Sequence, residues 1–81
     1  MSAKLTLYTR TGCHLCEDME RALPELANEL DFNAEIVMID NSNELEEAYG
    51  AKVPVLAIGD EIICEYFLDK VALSAAILRH Q

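Results

Sequence analysis

Two of the three cysteines stand three residues apart, in Cys13-His14-Leu15-Cys16. Thiols at that spacing either exchange with disulfides or hold a soft metal ion. Just upstream, Leu5-Thr6-Leu7-Tyr8 reads as a short strand and Thr9-Arg10-Thr11-Gly12 as a turn, and from Leu15 onward an apolar stripe of helical period begins. The pair therefore falls where a strand hands over to the first turn of a helix. Backbone N–H groups are unpaired there and the helix end carries a partial positive charge, so a thiolate is favoured over a thiol. Cys13 is the expected nucleophile. Cys16 returns to the same side of the helix, within reach of a disulfide with Cys13. Arg10 supports a thiolate, His14 does so only when protonated, and Glu17 and Asp18 act against it.

The metal alternative needs converging ligands. Cys13, Cys16, His14 and Cys64 are soft donors, but a structural zinc site draws on paired motifs and the second pair is missing, so no metal is expected. Cys64 has no partner at motif spacing and reads as a small buried residue. Tyr8 and Tyr49 read as packing residues with a wet hydroxyl.

The elements that must present the pair follow from the chain in order. Leu15, Met19, Leu23, Leu26 and Leu30 fall at helical spacings, with acidic residues on the other faces, so one helix is expected from about Cys13 to Leu30. Pro24 predicts a kink near Glu20 to Leu23, with two successive helices as the alternative. Ile36-Val37-Met38-Ile39 is a continuous apolar run, the pattern of a strand covered on both faces. With the first strand and the helix it makes a βαβ unit with parallel strands. Asp40-Asn41-Ser42-Asn43 offers caps for a short helix, with Asn41 and Glu44 or Asn43 and Glu46 as approximate capping pairs, ending at Tyr49 with Gly50 as C-cap. Val53 to Ile58 reads as a strand with Pro54 near its start, Gly59-Asp60 as a hairpin loop and Glu61 to Cys64 as the returning strand. A last helix is expected from about Asp69 to His80.

The 81 residues suffice for one domain over residues 1–81, and with half of them apolar the chain is expected to fold around a single core. A net charge of −9 opposes binding to nucleic acid or anionic membranes, so neither is an expected partner. The odd cysteine count speaks against a secreted disulfide framework, and no leader-like or membrane-spanning apolar segment is evident, which makes a cytoplasmic monomer the expectation.

The order β-α-β-α-β-β-α, with Cys-x-x-Cys after the first strand and Val-Pro about 40 residues later, is that of few small folds. In Leu5 to Glu17 and again in Tyr49 to Leu56, the chain resembles the small glutaredoxin-like proteins of the thioredoxin-fold superfamily, specifically the group with a Cys-His-Leu-Cys motif. The resemblance implies an α/β, thioredoxin-like (glutaredoxin-type) fold, a four-stranded mixed sheet with helices on both faces. It implies a thiol–disulfide oxidoreductase acting through Cys13 and Cys16, with Arg10, His14, Val53 and Pro54 as substrate-binding residues. Pro54 matches the family's cis-proline, which leaves the Val53 backbone free to pair with an extended thiol substrate. Arg10 stands where a lysine commonly favours the thiolate and meets a glutathione carboxylate. The implied partners are a protein disulfide or low-molecular-weight thiol and a reductant such as glutathione or a thioredoxin reductase. No tightly bound cofactor is implied, and glutathione is the implied co-substrate. One departure stands out: Ile62 to Asp69 lacks the Gly-Gly pair at which the glutamyl end of glutathione docks in glutaredoxins. The competing reading is an interaction or metal-binding module of the same fold with little redox turnover.

Overall fold

The computed structural model describes residues 3–80. Strand β1 (Ala3–Thr9) is followed by helix α1 (His14–Leu30), strand β2 (Phe32–Met38), a single 3-10 turn over Ile39–Asn41, helix α2 (Asn43–Tyr49), strands β3 (Val55–Ile58) and β4 (Glu61–Glu65), and helix α3 (Lys70–Arg79). The sheet order is β2-β1-β3-β4, with β1 and β2 parallel and the other neighbours antiparallel. This is the expected βαβ unit followed by a hairpin.

Alternation along β1 sends Leu5 and Leu7 to one face and Tyr8 to the other. On the first face they join Met19, Leu23 and Leu26 of α1, Leu56 and Ile58 of β3, and Leu73, Ala76 and Ile77 of α3 in one core. On the second face Tyr8 stacks on Tyr49 of α2, ring centroids 4.2 Å apart, which accounts for both tyrosines as packing residues. Helices thus cover both faces of the sheet, α1 and α3 one side and α2 the other.

Helix α1 is continuous through Pro24, so the stripe from Leu15 to Leu30 belongs to one helix and not two. It ends at Asp31, whose left-handed backbone (φ 57) directs its N–H to the Ala27 carbonyl. The continuous apolar run Ile36 to Ile39 is not covered on both faces. Strand β2 is an edge of the sheet and begins earlier, at Phe32; Ile36 is 49 % exposed, and only Ile39, in the turn beyond, is fully buried. The doubly covered strand is β3, buried at all four positions because it lies between β1 and β4 under helices on either side. It starts at Val55, so Val53 and Pro54 belong to the preceding loop.

Helix α2 is capped by the Ser42 hydroxyl, which accepts from the Leu45 N–H at 3.2 Å, in place of the Asn41 or Asn43 pairs. Gly50 is its C-cap but keeps right-handed angles (φ −53), so glycine is not required there by backbone sign. Space requires it: a Cβ would meet the Glu46 carbonyl and would stand 3.1 Å from Nη2 of Arg10. Gly59 does take the left-handed angle (φ 58) that turns the β3–β4 hairpin. A register shift in that hairpin leaves Ile63 without a β3 partner, and Ile63 and Cys64 both pack against the core. Helix α3 begins where Asp69 accepts from the Ala72 N–H at 3.0 Å. None of the described helices is long and apolar enough to cross a membrane.

Candidate active site

The two cysteines occupy different environments three residues apart. Cys13 is the N-cap of α1: its backbone is extended (φ −102, ψ 111), and its sulfur accepts the Cys16 N–H at 3.2 Å, the place a serine or aspartate oxygen takes at other helix starts. Cys13 as a whole is half-buried. Cys16, one turn on, is 1 % exposed and lies on the core face of the helix beside Met19. Burial, together with the neighbouring Cys13 sulfur, pushes the Cys16 thiol up to about 12, against a partial offset from the Arg10 backbone N–H. All three cysteines are free thiols in this structure. Cys64 is half-buried, and burial raises its thiol as well.

Each expected substrate-binding residue has a definite place. His14 opens α1 with its side chain 95 % exposed, 3.6 Å from a Glu17 carboxylate oxygen, so it faces solvent beside Cys13. The Val53–Pro54 peptide bond is cis, with Pro54 buried and Val53 half-buried. Tyr8 and Val55 are the last pair of the antiparallel β1–β3 ladder, so the chain leaving β1 and the chain entering β3 lie at the same end of the sheet. The loop that ends in Cys13 and the loop that carries Val53 and Pro54 therefore emerge side by side at one end of the sheet. The Arg10 backbone lowers the Cys16 thiol slightly against burial, whereas its guanidinium forms an ion pair with Glu46 of α2.

Three further residues shape the site and were not singled out from the sequence. Tyr66, just past β4, holds the Val53 loop at two points: its N–H donates to the Pro54 carbonyl at 2.9 Å and its hydroxyl to the Ala51 carbonyl at 2.7 Å. Its backbone is left-handed (φ 65), an arrangement that costs a side-chain-bearing residue about 1 kcal/mol. Asp40 accepts the Thr11 N–H at 3.2 Å, and the hydrogen bonds from Thr11, side chain first and then backbone, hold its carboxyl below the usual range. Glu46 is the third. Tyr66 carried one sequence signal, since it falls in the glycine-free stretch after β4; Asp40 and Glu46 signalled only capping of the short helix, because their contacts to Thr11 and Arg10 join segments far apart in the chain.

A shallow groove runs from this end of α1 to the loop after β4, lined by Leu15, Met19, Ala22, Tyr66, Phe67 and Leu68 with Asp18 among them. Leu15 is half-buried in it, part core and part surface. Among the described residues no group of three His, Cys, Asp or Glu side chains is arranged to hold a metal ion.

A four-stranded mixed sheet with this connectivity, bearing a Cys-x-x-Cys at the start of the first helix, defines a thioredoxin-like fold. Residues 4–78 match the family model of the glutaredoxin-like domain (DUF836), and the chain belongs to that family. It is similar to protein Ne2328 from Nitrosomonas europaea, solved by NMR, at 39 % identity over 95 % of this chain and 93 % of that one, with a TM-score of 0.84. The X-ray structure of protein XcR50 from X. campestris is similar at 36 % identity, covering 95 % of this chain and 97 % of that one, with a TM-score of 0.67. Fasciola hepatica thioredoxin shares the fold at 16 % identity, with a TM-score of 0.62 over 99 % of this chain and 82 % of that one. No curated protein matches the chain.

Proposed function

We propose that the protein is a dithiol thiol–disulfide oxidoreductase in which Cys13 is the nucleophile and Cys16 the resolving thiol. The observation that carries this reading is the inequality of the two sulfurs. Cys13 is accessible, at a helix start with an N–H directed at it, whereas Cys16 is buried and keeps its proton well above neutral pH. Only one of the two is therefore available to an incoming disulfide.

The Cys13 thiolate attacks one sulfur of a substrate disulfide; that S–S bond breaks, the departing thiolate carries away the electron pair, and a mixed disulfide with Cys13 remains. Cys16 then gives up its proton to solvent and attacks the Cys13 sulfur, the second substrate thiolate departs, and the Cys13–Cys16 disulfide forms. Two electrons have passed from the pair to the substrate. The Cys16 N–H and the helix end favour the Cys13 thiolate that makes the first attack.

Val53 supplies backbone for an extended substrate, Pro54 sets the loop beside the thiols, and exposed His14 and the groove at Leu15 contact residues flanking the substrate cysteine. The substrates are disulfides in proteins or small thiols, with a thiol such as glutathione or a thioredoxin reductase returning the electrons. The place of action is the cytoplasm and the working form a monomer; the charge of −9 supports a function without nucleic acid or membrane.

Single-turnover reaction of the pre-reduced protein with a disulfide tests the scheme, read as released thiol and by mass. Cys13→Ser is expected to abolish release. Cys16→Ser is expected to stop at a stable mixed disulfide on Cys13, with one thiol released in place of two. Equal reactivity of both variants overturns the assignment.

A further inference from the structure

The side chain of Arg10 is engaged by α2, where its guanidinium forms an ion pair with Glu46. The guanidinium stands so close to Gly50 that a Cβ there would be 3.1 Å from Nη2, and feels the charge of Asp40, itself tied to the Thr11 N–H next along the chain. Three features of the segment from the 3-10 turn to the end of α2 thus fix one cation. The other charged positions near this end of the sheet are Glu17, Asp40 beside Thr11, Asp18 in an ion pair with Arg21, and Lys52 at 4.0 Å from Glu65.

We propose that Glu46 is a specificity-determining residue, filling the carboxylate place at Arg10 so that the site selects neutral or cationic disulfides over carboxylate-bearing ones. This rests on the redox reading above and names its substrate class. A small anionic disulfide approaching Cys13 must displace Glu46 to reach Arg10, and meets the field of Asp40, Glu17 and a chain of net charge −9 as it does so. A disulfide in a neutral or basic polypeptide segment pays neither cost. Arg10 then serves the site by joining its loop to α2 and not by binding substrate, a positioning role that follows from where its guanidinium lies.

The test uses two probe disulfides of opposite charge, cystamine and oxidised glutathione. Each is reacted in single turnover with the pre-reduced protein, and each rate is divided by that of the same disulfide with free dithiothreitol. The wild type is expected to favour cystamine by tenfold or more on this scale, with the gap narrowing as salt is raised. Glu46→Gln is expected to raise the glutathione-to-cystamine ratio about fivefold, the size of effect an exposed ion pair supports. Glu47→Gln makes the same charge change on an exposed neighbouring position and is expected to move the ratio by less than twofold. A ratio that Glu46→Gln leaves in place, an equal response to Glu47→Gln, or a wild type indifferent to probe charge overturns the proposal. Failure of both probes to react at all overturns the redox reading itself.

Discussion

The interior between the sheet and helices α1 and α3 is held together differently from the end of the sheet that carries the cysteines. In the interior, Leu7, Leu56 and Leu73 are completely buried and belong to one apolar cluster. At the cysteine end the segments are joined by single polar contacts: Thr11 to Asp40, Arg10 to Glu46, and Tyr66 to Ala51 and Pro54. Apolar burial is worth about 1.5–3 kcal/mol per large side chain and tolerates no vacancy, whereas exposed polar contacts contribute about 1 kcal/mol or less each. Stability should therefore reside in the interior and reactivity at the end, with little overlap.

Truncation in the interior sharpens that contrast most. Leu56→Ala removes a fully buried side chain between α1 and α3 and is expected to cost about 2–5 kcal/mol, measured by urea unfolding. Ile36→Ser, on the exposed edge strand β2, is expected to cost about 0.5 kcal/mol or less by the same measurement. Equal losses at the two positions would mean that β2 is as covered in solution as β3.

Cys16 belongs to both regions, and pH separates its roles. Its thiol is raised to about 12 when folded, against an ordinary value near 9, chiefly by burial. The folded state then binds more protons than the unfolded state between those values, so stability present below pH 9 is lost as pH rises toward 12. Tyr8 and Cys64, both raised mainly by burial, act in the same direction. The thermal midpoint of the reduced protein is expected to fall with pH above about 9, and less steeply in Cys16→Ala. A Cys16→Ala profile parallel to the wild type's would show that this thiol does not ionise on unfolding.

The same division explains what the sequence could disclose. Periodicity from Leu15 to Leu30, the Cys-x-x-Cys at the helix start and the Gly59-Asp60 hairpin are local signals, and each element they imply is present. Ile36 to Ile39 and Val55 to Ile58 look alike as apolar runs, yet only the second is buried throughout, because sheet order is decided by pairing between distant segments. Residues Cys13, Cys16, His14, Val53 and Pro54 could be named from motif and resemblance. The direction of the Arg10 guanidinium could not, since it depends on Glu46 arriving from another helix. Nor could Tyr66: a left-handed tyrosine runs against local preference and is held by contacts to the Val53 loop.

Tyr66 gives the finest test of the contrast. Tyr66→Phe deletes the 2.7 Å hydrogen bond to the Ala51 carbonyl but keeps the ring and the backbone bond to Pro54. Both hydrogen-bonding groups are solvent-accessible, so water replaces the lost partner and the expected change in unfolding free energy is about 1 kcal/mol or less. The Val53 loop, however, loses one of its two attachments to Tyr66, and a substrate strand laid against it is less well aligned with Cys13. The rate of mixed-disulfide formation with a peptide disulfide is expected to fall about two- to fivefold, while the rate with a small disulfide that does not span the loop stays within twofold. Equal losses with both substrates would place the effect at the thiols themselves, and a loss of stability matching Leu56→Ala would move Tyr66 from the site to the interior.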